Sequence, residues 1–458
     1  MLGEVCTPRS VAFRPSFAFC TSLDFRPRSP GLGVRSLAHR GFAIGVLLAA
    51  GFAAAPWIWA ADEWTRFRGP NGLGAISTMD FPAELSERHV AWRIELGGKG
   101  HSSPIVAQEW VFVASADLET GNQLVQCFQR QDGREVWRRE APGQIFPKHE
   151  FNSFASSTPA WVDGTLFYTW ATPEHLRVIA MRGASGETIW ERDLGPFVSQ
   201  HGFGASPIVF EDLLIVPNEQ DGESFIAALD VRDGHTRWMT PRRSEKATYS
   251  TPTVFRPDQG NPQLIFTSWA HGVYAVEPRS GKPLWELPVF HNRTVGSPLL
   301  VGDLVFASSG EGGIGREMFA VRVGLPDQKR EPAVAYEIRG SLPYVTTPVA
   351  RDGLVFLLYD RGAMTCLEAE SGEVVWRQRL SGEFFSSPIR LGDKLYLLSR
   401  GGELCVLAAE RQFRLLGRYD FGESSHATPA AAEGELFVRT ERHLIKLQAA
   451  VRPRYSNR

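Results

Sequence analysis

Eight Ser-Pro or Thr-Pro pairs recur along this chain, and each opens a short apolar run. Successive prolines are separated by 40 to 55 residues. A period of this length built from short strands is typical of a β-propeller, in which each repeat forms one blade of a radial array. The pairs are Ser103-Pro104, Thr158-Pro159, Ser206-Pro207, Thr251-Pro252, Ser297-Pro298, Thr347-Pro348, Ser387-Pro388 and Thr428-Pro429. We therefore expect an all-β chain with eight blades.

Residues 206–238 show how one repeat is built. Three short apolar runs lie between Ser206 and Asp230, and tight turns separate them. Asp233-Gly234 then supplies a hairpin turn, because both residue types tolerate positive φ angles, and a fourth strand follows it. Four antiparallel strands joined in this way make one propeller blade.

A tryptophan follows the hairpin glycine by four residues in five of the repeats. A large flat side chain at that place can lie between neighbouring sheets and bury area that one blade cannot bury alone. Together with a tryptophan near the start of the repeats, these are the predicted blade-docking residues: Trp92, Trp137, Trp190, Trp238, Trp285 and Trp376. The fifth and seventh repeats lack this turn and its tryptophan.

The closure of the ring is also visible in the sequence. The last repeat ends one strand short, whereas the segment 90–96 resembles a fourth strand and precedes the first pair. A strand around Trp92 is therefore predicted to complete the last blade, which removes exposed sheet edges. The prediction is an eight-bladed propeller of four-stranded antiparallel blades over residues 91–448, followed by a tail over 449–458.

The first 61 residues differ from the repeats. Residues 1–33 form an arginine-rich leader, and the true start of the protein is alternatively near Val34. Residues 34–61 combine arginines, an uncharged apolar run and small residues before Asp62, which is the pattern of a cleaved secretory signal peptide. An uncleaved membrane anchor is the alternative, since the apolar stretch is nearly long enough to span a bilayer. Residues 62–90 are predicted to be a separate extension without a strand period.

Charge and cysteine content exclude several classes of partner. The 49 Lys and Arg residues nearly balance the 51 Asp and Glu residues, so we expect no nucleic-acid partner and no membrane contact beyond the signal segment or a partner protein. Cys127, Cys366 and Cys405 lie in different repeats and are expected to be buried and too far apart for disulfides. The chain is expected to be a monomer without a metal site.

The segment Ala228–Trp238 (ALDVRDGHTRW) resembles the repeat of the pyrroloquinoline-quinone (PQQ) type propellers, and the resemblance covers roughly residues 91–448. It implies one of two functions. Some members are quinoprotein dehydrogenases with PQQ and Ca²⁺, whereas BamB-like envelope proteins are non-enzymatic scaffolds for outer-membrane protein assembly. The opening segment Trp64–Gly72 is similar to exported PQQ-repeat proteins of planctomycete-type bacteria. Many such dehydrogenases carry adjacent cysteines, which this sequence lacks, so we expect no cofactor, with PQQ and calcium as the alternative.

The residues just ahead of the Ser/Thr-Pro pairs are the candidate binding site. They join the outer strand of one blade to the inner strand of the next, so they are expected to surround one mouth of the central channel. One alternative is that they are solvated loop residues without a role. Another is a metal ion bound jointly by His101, His201 and His426. The candidates are His101, Lys148, His149, Asn152, His201, Phe203, Tyr249, Arg293, Tyr344, Phe384, Phe385 and His426.

These observations predict an exported, non-enzymatic β-propeller in the periplasm or cell envelope. It would bind a protein or peptide partner at its loop-rich face and act as an assembly scaffold. The alternative is a PQQ- and Ca²⁺-dependent quinoprotein dehydrogenase.

Overall fold

A computed structural model describes residues 63–312 and 314–449, and these form one compact unit. The predicted leader, the predicted signal peptide and nearly all of the predicted tail lie outside the described residues. Within the described ranges the chain forms eight sheets, each built on four antiparallel strands. In seven of them the four strands follow one another in sequence, and the eighth takes its outer strand from the N-terminal side. The all-β, eight-bladed propeller is therefore confirmed. No helix in this part of the chain is long and apolar enough to cross a membrane.

Each blade runs from a three-residue inner strand to a longer outer strand. The strands of blades 1 to 4 are Ile105–Ala107, Trp110–Ala116, Gln123–Gln129 and Glu135–Ala141; Ala160–Val162, Thr165–Ala171, Leu176–Arg182 and Thr188–Asp193; Ile208–Phe210, Leu213–Asn218, Gly222–Asp230 and Thr236–Ser244; and Thr253–Phe255, Gln263–Ser268, Gly272–Val276 and Pro283–Leu287.

The second half of the ring follows the same plan. The strands of blades 5 to 8 are Leu299–Val301, Leu304–Glu311, Ile314–Arg322 and Ala333–Glu337; Val349–Arg351, Leu354–Leu358, Ala363–Glu368 and Val374–Arg379; Ile389–Leu391, Lys394–Leu398, Glu403–Ala408 and Leu415–Asp420; and Ala430–Ala432, Glu435–Arg439, His443–Gln448 and, from the N-terminal side, Val90–Glu95. Short 3₁₀ turns lie at Pro70–Gly72, Glu87–His89 and Pro326–Gln328.

The predicted closure of the ring is confirmed. The N-terminal strand Val90–Glu95 pairs antiparallel with His443–Gln448 and becomes the outer strand of blade 8. Each inner strand begins one residue after its Ser/Thr-Pro proline, not at the proline itself. Proline has no N–H to give to a sheet ladder, so its place just outside the strand leaves no donor missing.

The hydroxyl groups of the eight pairs form a closed ring of hydrogen bonds around the channel. The backbone N–H of each serine or threonine donates to the side-chain oxygen of the corresponding residue in the next blade, at 2.8–3.3 Å. The bonds run from Ser103 to Thr158, Thr158 to Ser206, Ser206 to Thr251, Thr251 to Ser297, Ser297 to Thr347, Thr347 to Ser387, Ser387 to Thr428 and Thr428 back to Ser103. Serine and threonine recur because each blade must satisfy a buried donor of its neighbour.

Removing one hydroxyl from this ring is expected to destabilise the protein. Thr347 is 1% exposed, and its oxygen accepts the N–H of Ser297 at 2.8 Å. Thr347→Val keeps the shape but leaves that N–H unsatisfied, which should lower the free energy of unfolding by about 1–3 kcal/mol. Urea denaturation measures the loss. Thr347→Ser, which keeps the hydroxyl, is the control; an equal loss in both variants would show that the ring bond contributes nothing.

At four of the eight junctions between blades, a tryptophan of one blade packs against the turn glycine of the next. The Trp238 indole N–H donates to the Pro278 carbonyl of blade 4 at 2.9 Å, and its ring lies against Gly281 of the hairpin turn there. A Cβ on that glycine would lie only 2.3 Å from the ring. Trp92, Trp137 and Trp190 lie against the turn glycines Gly133, Gly186 and Gly234 in the same way. The glycine therefore receives the tryptophan of the preceding blade.

The two repeats without a tryptophan fill this place differently. In blade 5 the ring of Tyr336 lies against the turn glycine Gly372 of blade 6. In blade 7 the strand position that a tryptophan would occupy is Gly417, paired with Val406. The backbone of Ala83 packs directly on this glycine. The segment before the first blade thus substitutes for the missing side chain.

Residues 63–89, predicted to form a separate extension, are packed into the propeller. Trp64 is fully buried and pairs through its backbone with Val106 of blade 1. Two residues, Ala75–Ile76, add a parallel strand to the inner strand of blade 7. The Tyr396 hydroxyl of the same blade donates to the Phe81 carbonyl at 2.6 Å. The segment therefore crosses one end of the channel from blade 1 to blade 7.

Two buried arginines fasten this segment to the ring. The Arg66 guanidinium donates to the carbonyl of Pro252 at 2.6 Å, and Arg68 donates to those of Pro348 and Pro388 at 2.6 and 3.1 Å. These prolines belong to the repeated pairs of three different blades. Burial lowers the pKa of each arginine to about 9, since carbonyl oxygens alone partner the charge. The side chain between them, Phe67, points into the channel.

Candidate functional site

A cavity of about 470 Å³ occupies the mouth of the channel. Two sets of loops form its wall: those that lead from one blade into the inner strand of the next, and those that join the second and third strands within a blade. Both sets lie at the same end of the blades, because neighbouring strands of a blade run in opposite directions. Phe67 and six hydroxyl residues of the ring form its floor. The N-terminal segment thus contributes Phe67 to the inner end of this cavity, which we call the funnel below.

Eight of the twelve candidates line the funnel: His101, His149, Asn152, His201, Tyr249, Tyr344, Phe385 and His426. Phe384 does not, because successive side chains of an extended segment point to opposite sides. It is fully buried in the apolar core between blades 6 and 7, beside Leu380.

Lys148 and Arg293 lie next to the funnel but outside its lining. The Lys148 ammonium donates to the Asn152 carbonyl at 2.8 Å and lies 5.1 Å from the centre of the Phe154 ring. Arg293 is 3% exposed and lies behind the wall between blades 4 and 5. Phe203 is also buried, with Phe197 edge-on to it at 5.1 Å.

The histidines of the funnel stack in two pairs. His101 and His426 have ring centres 4.3 Å apart, and His149 and His201 have ring centres 4.9 Å apart. Burial and the neighbouring Arg400 lower the pKa of His426 to about 4, and burial holds the pKa of His101 well below its usual value. These two rings are therefore neutral at pH 7. Among the described residues no three His, Cys, Asp or Glu side chains are grouped so as to hold a metal.

An arginine between two phenylalanines forms one wall. The Arg400 guanidinium lies 4.5 Å from the centre of the Phe151 ring and 4.8 Å from that of Phe385. It also pairs with Glu383 and donates to Nε2 of His426 at 3.3 Å. Such cation–π contacts keep a charge and two apolar faces together on one surface. This wall can contact both apolar and polar groups of a ligand.

A second ion pair lies on the neighbouring blades 5 and 6. Arg316 donates to Asp360 at 2.6 Å and lies over the rings of Tyr359 and Tyr344. Burial raises the pKa of Asp360, while Arg316 opposes that shift. The same carboxylate accepts the backbone N–H of Tyr344 at 3.2 Å. The arginine and the loop are thereby fixed in place.

The sequence reasoning missed the arginines of the funnel. Arg361 and Arg400 follow the second strands of blades 6 and 7, whereas the predicted site comprised only residues ahead of the Ser/Thr-Pro pairs. In a four-stranded antiparallel blade the connection between strands two and three lies on the mouth face as well. That topological rule was available from the sequence and would have found them.

A larger cavity, of about 740 Å³, lies on the other side of the ring, between residues 77–80 and turns of blades 5, 6 and 7. Its charges are already matched. Lys394 pairs with Asp80 and Asp393, and Arg390 donates to two backbone carbonyls and to the Ser77 hydroxyl. Because its polar groups are satisfied within the chain, the funnel is the stronger candidate site.

A cluster of buried polar groups lies between blades 3 and 4. Glu219 Oε1, the Tyr274 hydroxyl and two nitrogens of Arg242 have no hydrogen-bond partner among the described residues. Glu219 is 3% exposed, and burial raises its pKa from 4.5 to about 7, although Arg242 acts in the opposite direction. Arg242 pairs instead with Glu286.

Glu219→Gln is expected to stabilise the protein more at pH 8 than at pH 5. Between pH 4.5 and 7 the folded chain holds a proton on Glu219 that the unfolded chain has released, so the wild-type protein loses stability as the pH rises. The glutamine does not titrate. Melting temperatures of both proteins at pH 5, 6, 7 and 8 should diverge up to about pH 7 and then stay parallel.

Glu311→Gln is the matched control for this comparison. Glu311 pairs with Lys246, which lowers its pKa below 4.5, so its effect should not vary between pH 5 and 8. A pH-independent difference for Glu219→Gln as well would contradict the raised pKa.

Comparison with known proteins agrees with the fold. The family model described as outer membrane protein assembly factor BamB matches residues 85–166, 121–330 and 335–448. BamB of Yersinia pestis is 23% identical over 340 residues, covering 72% of this chain and 81% of that protein. BamB of Burkholderia pseudomallei is 22% identical over 360 residues, covering 75% and 83%. Tetrathionate hydrolase of Acidithiobacillus ferrooxidans is 21% identical over 230 residues, but the chain spans only 43% of its length.

Solved structures of two kinds share the architecture. BamB from Moraxella catarrhalis superimposes with a TM-score of 0.59 at 14% identity, over 80% of this chain and 99% of that one. A europium-containing methanol dehydrogenase superimposes with a TM-score of 0.64 at 12% identity, over 82% and 89%. At these identities the structures show a common fold alone. Because the family model matches more than half of the sequence, the chain belongs to the PQQ-like repeat propeller family described as outer membrane protein assembly factor BamB.

Proposed function

We propose that this protein is a non-enzymatic propeller that binds a protein or peptide partner in its funnel and acts as an assembly scaffold in the cell envelope. The observation that carries the proposal is the wall made by Arg400 with Phe151 and Phe385. Aromatic and arginine side chains at a concave surface are the groups that contribute most to protein–protein binding. The relatives named as assembly factors support the same class of function.

Exposed apolar side chains on the mouth face support this proposal. Leu118, Ile145 and Val198 are each at least half exposed, and Phe151 is 39% exposed. All four lie in loops on the mouth face of blades 1 to 3. Exposed apolar groups beside a cavity are typical of an interaction surface. A partner can therefore contact both the inside of the funnel and the exposed apolar side chains beside it.

Export to the periplasm or envelope is part of the proposal. Its support is the signal-peptide pattern of residues 34–61 and the names of the relatives. Fractionation of cells that produce the full chain tests it. Recovery of the protein with the cytoplasmic fraction would contradict export.

Affinity capture from envelope extract tests the binding function. The immobilised full chain should retain a specific protein, and Phe385→Asp should lose it, because the variant removes one of the two aromatic faces beside Arg400 and puts a charge in its place. Val374→Asp is the matched control, since Val374 is 45% exposed on an outer strand away from the funnel. Equal recovery by both variants, or no specific partner for the wild type, would contradict the proposal.

The funnel residues do not fit a quinone-and-calcium site. Calcium requires several free carboxylate or carbonyl oxygens. Of the funnel carboxylates, Asp360 and Glu383 are each paired with an arginine, and Glu150 alone lacks such a partner. The described cysteines are free and buried. Purified protein equilibrated with PQQ and Ca²⁺ is expected to show neither a bound quinone spectrum nor dye-linked alcohol oxidation; turnover would favour the dehydrogenase.

A further inference from the structure

The eight hydroxyl groups of the ring each keep one hydrogen-bond donor that the chain does not use. Each oxygen accepts one backbone N–H from the neighbouring blade. A hydroxyl group also has an O–H donor, which rotates about the C–O bond. For these eight O–H groups there is no acceptor among the described residues. All eight residues are at most 7% exposed, and a buried donor without an acceptor is costly.

Most of these donors can be reached from the mouth of the channel. Six of the eight ring residues line the inner end of the funnel together with Phe67, namely Ser103, Ser206, Thr251, Thr347, Ser387 and Thr428. The ring therefore offers a ligand in the funnel a set of converging O–H groups.

Three buried arginines lie beside the ring. Arg66, Arg68 and Arg439 are 5%, 0% and 1% exposed. Arg66 and Arg68 donate to the carbonyls of the prolines that directly follow three of the ring residues. Arg439 donates at 2.9 Å to the carbonyl of Ser102, which directly precedes Ser103 of the ring. Each guanidinium is thus bonded to the backbone next to a ring hydroxyl.

No carboxylate compensates these three charges in the described part of the chain. Their hydrogen-bond partners are backbone carbonyls and, for Arg439, also the Ser115 hydroxyl. Burial lowers the pKa of each arginine to about 9, and no carboxylate opposes that shift, so all three are charged at pH 7. Burying a charge without a counter-ion is costly, so the ring is expected to attract a negative charge.

The charge of one of these arginines acts inside the funnel. Burial holds the pKa of His101 well below its usual value, and the charges of His426 and Arg439 act in the same direction. His101 lines the funnel. A ligand at the inner end is therefore exposed to the same positive potential.

The side chains that line the funnel do not supply the missing negative charge. They include three arginines and three carboxylates, which balance one another: Arg316, Arg361 and Arg400 against Glu150, Asp360 and Glu383. Two of these carboxylates are already paired with arginines of the same set. The three buried arginines therefore remain uncompensated.

Charge decides which kind of ligand the ring favours. Water can accept the O–H groups but brings no charge. A metal cation could use the free lone pairs of the hydroxyl oxygens, but three buried guanidinium groups repel it. An anion accepts the O–H groups and also offsets the positive charge.

We propose that the hydroxyl ring at the inner end of the funnel binds a small inorganic anion, either a halide or a tetrahedral oxyanion. The anion accepts hydrogen bonds from ring hydroxyls, whereas Arg66, Arg68 and Arg439 act on it through their charge and without contact, since carbonyl oxygens hold them. This inference goes beyond the proposed function, because the anion is a resident ligand of the propeller and is independent of any partner. It also gives residues 63–76 a second link to the ring.

Crystals of the full chain soaked in rubidium bromide test the proposal, because anomalous scattering distinguishes the two ions. Bromide should lie within hydrogen-bond distance of at least two ring hydroxyl oxygens. Rubidium at the ring, or water with bromide only on the outer surface, would overturn the proposal. This experiment needs no variant.

The line width of the chloride NMR signal, titrated with the full chain, measures the affinity in solution. Arg66→Met should weaken chloride binding by about tenfold, since one buried charge is lost. Arg66→Lys, which keeps the charge, should retain most of the affinity, and Arg339→Met should bind as the wild type, because Arg339 is exposed on blade 5. Unchanged affinity in Arg66→Met would overturn the role of the buried charges. Displacement of chloride by phosphate or sulfate would assign the site to an oxyanion, and resistance to both would assign it to a halide.

Discussion

Replacing Gly281 with alanine is expected to lower the free energy of unfolding by about 2–5 kcal/mol. Two effects add at this position. The backbone has φ +68°, which an L-residue adopts at a cost of about 1–2 kcal/mol. In addition, the new Cβ would lie 2.3 Å from the Trp238 ring and 2.5 Å from the Thr240 hydroxyl oxygen, so the tryptophan must leave its place between blades 3 and 4. Urea denaturation measures the total.

Gly302→Ala separates these two effects. Gly302 lies in a turn with φ +60°, and a Cβ there would meet nothing within 4 Å. Only the backbone cost remains, so we expect a loss of about 1–2 kcal/mol. Trp238 fluorescence should change in the Gly281 variant alone. Equal losses in the two variants would show that contact between tryptophan and glycine does not hold the blades together.

Replacing Arg68 with methionine is expected to have a comparable effect. Arg68 is fully buried and is the donor for the carbonyls of Gly72, Leu73, Pro348 and Pro388. Methionine fills most of the space but leaves the backbone carbonyls of Pro348 and Pro388 without a donor, which costs about 1–3 kcal/mol for each carbonyl. The N-terminal segment at the inner end of the funnel should then separate from blades 6 and 7. Hydrogen exchange of residues 63–76 should accelerate well before the blades exchange.

Arg66→Met is the control for this experiment. Arg66 makes a single described hydrogen bond, to Pro252, and its Nε has no partner. The free energy of unfolding of the Arg66 variant should fall by about 1–3 kcal/mol, which is less than the fall in the Arg68 variant. Faster exchange in blades 6 and 7 without any change in residues 63–76 would contradict the role given to Arg68.

The sequence was most informative where the repeat is regular. The spacing of the Ser/Thr-Pro pairs and the position of Trp92 were enough to predict eight blades and their closure, because these features depend on local turns and on burial. Residues 63–89 could not be placed in this way. Their contacts are with residues up to 320 positions away, as between Arg68 and Pro388, and no periodicity marks them.

The candidate site was predicted at the level of loops and not of side chains. Neighbours such as Phe384 and Phe385 have opposite environments, and their burial depends on the packing of blades 6 and 7. The role of the Ser/Thr hydroxyls was also missed, although their recurrence at every pair was the available signal. A polar residue repeated at a buried position indicates a partner in the next repeat.

Site-specific photocrosslinking in cells tests the central claim, that the partner binds in the funnel. A photoreactive phenylalanine analogue at Phe151 or Phe385 should form one discrete crosslinked product with another protein. The same analogue at Val374 or Leu415, which are 45% and 43% exposed on outer strands, should form none. Products at the outer strands with none at the funnel positions would contradict the account.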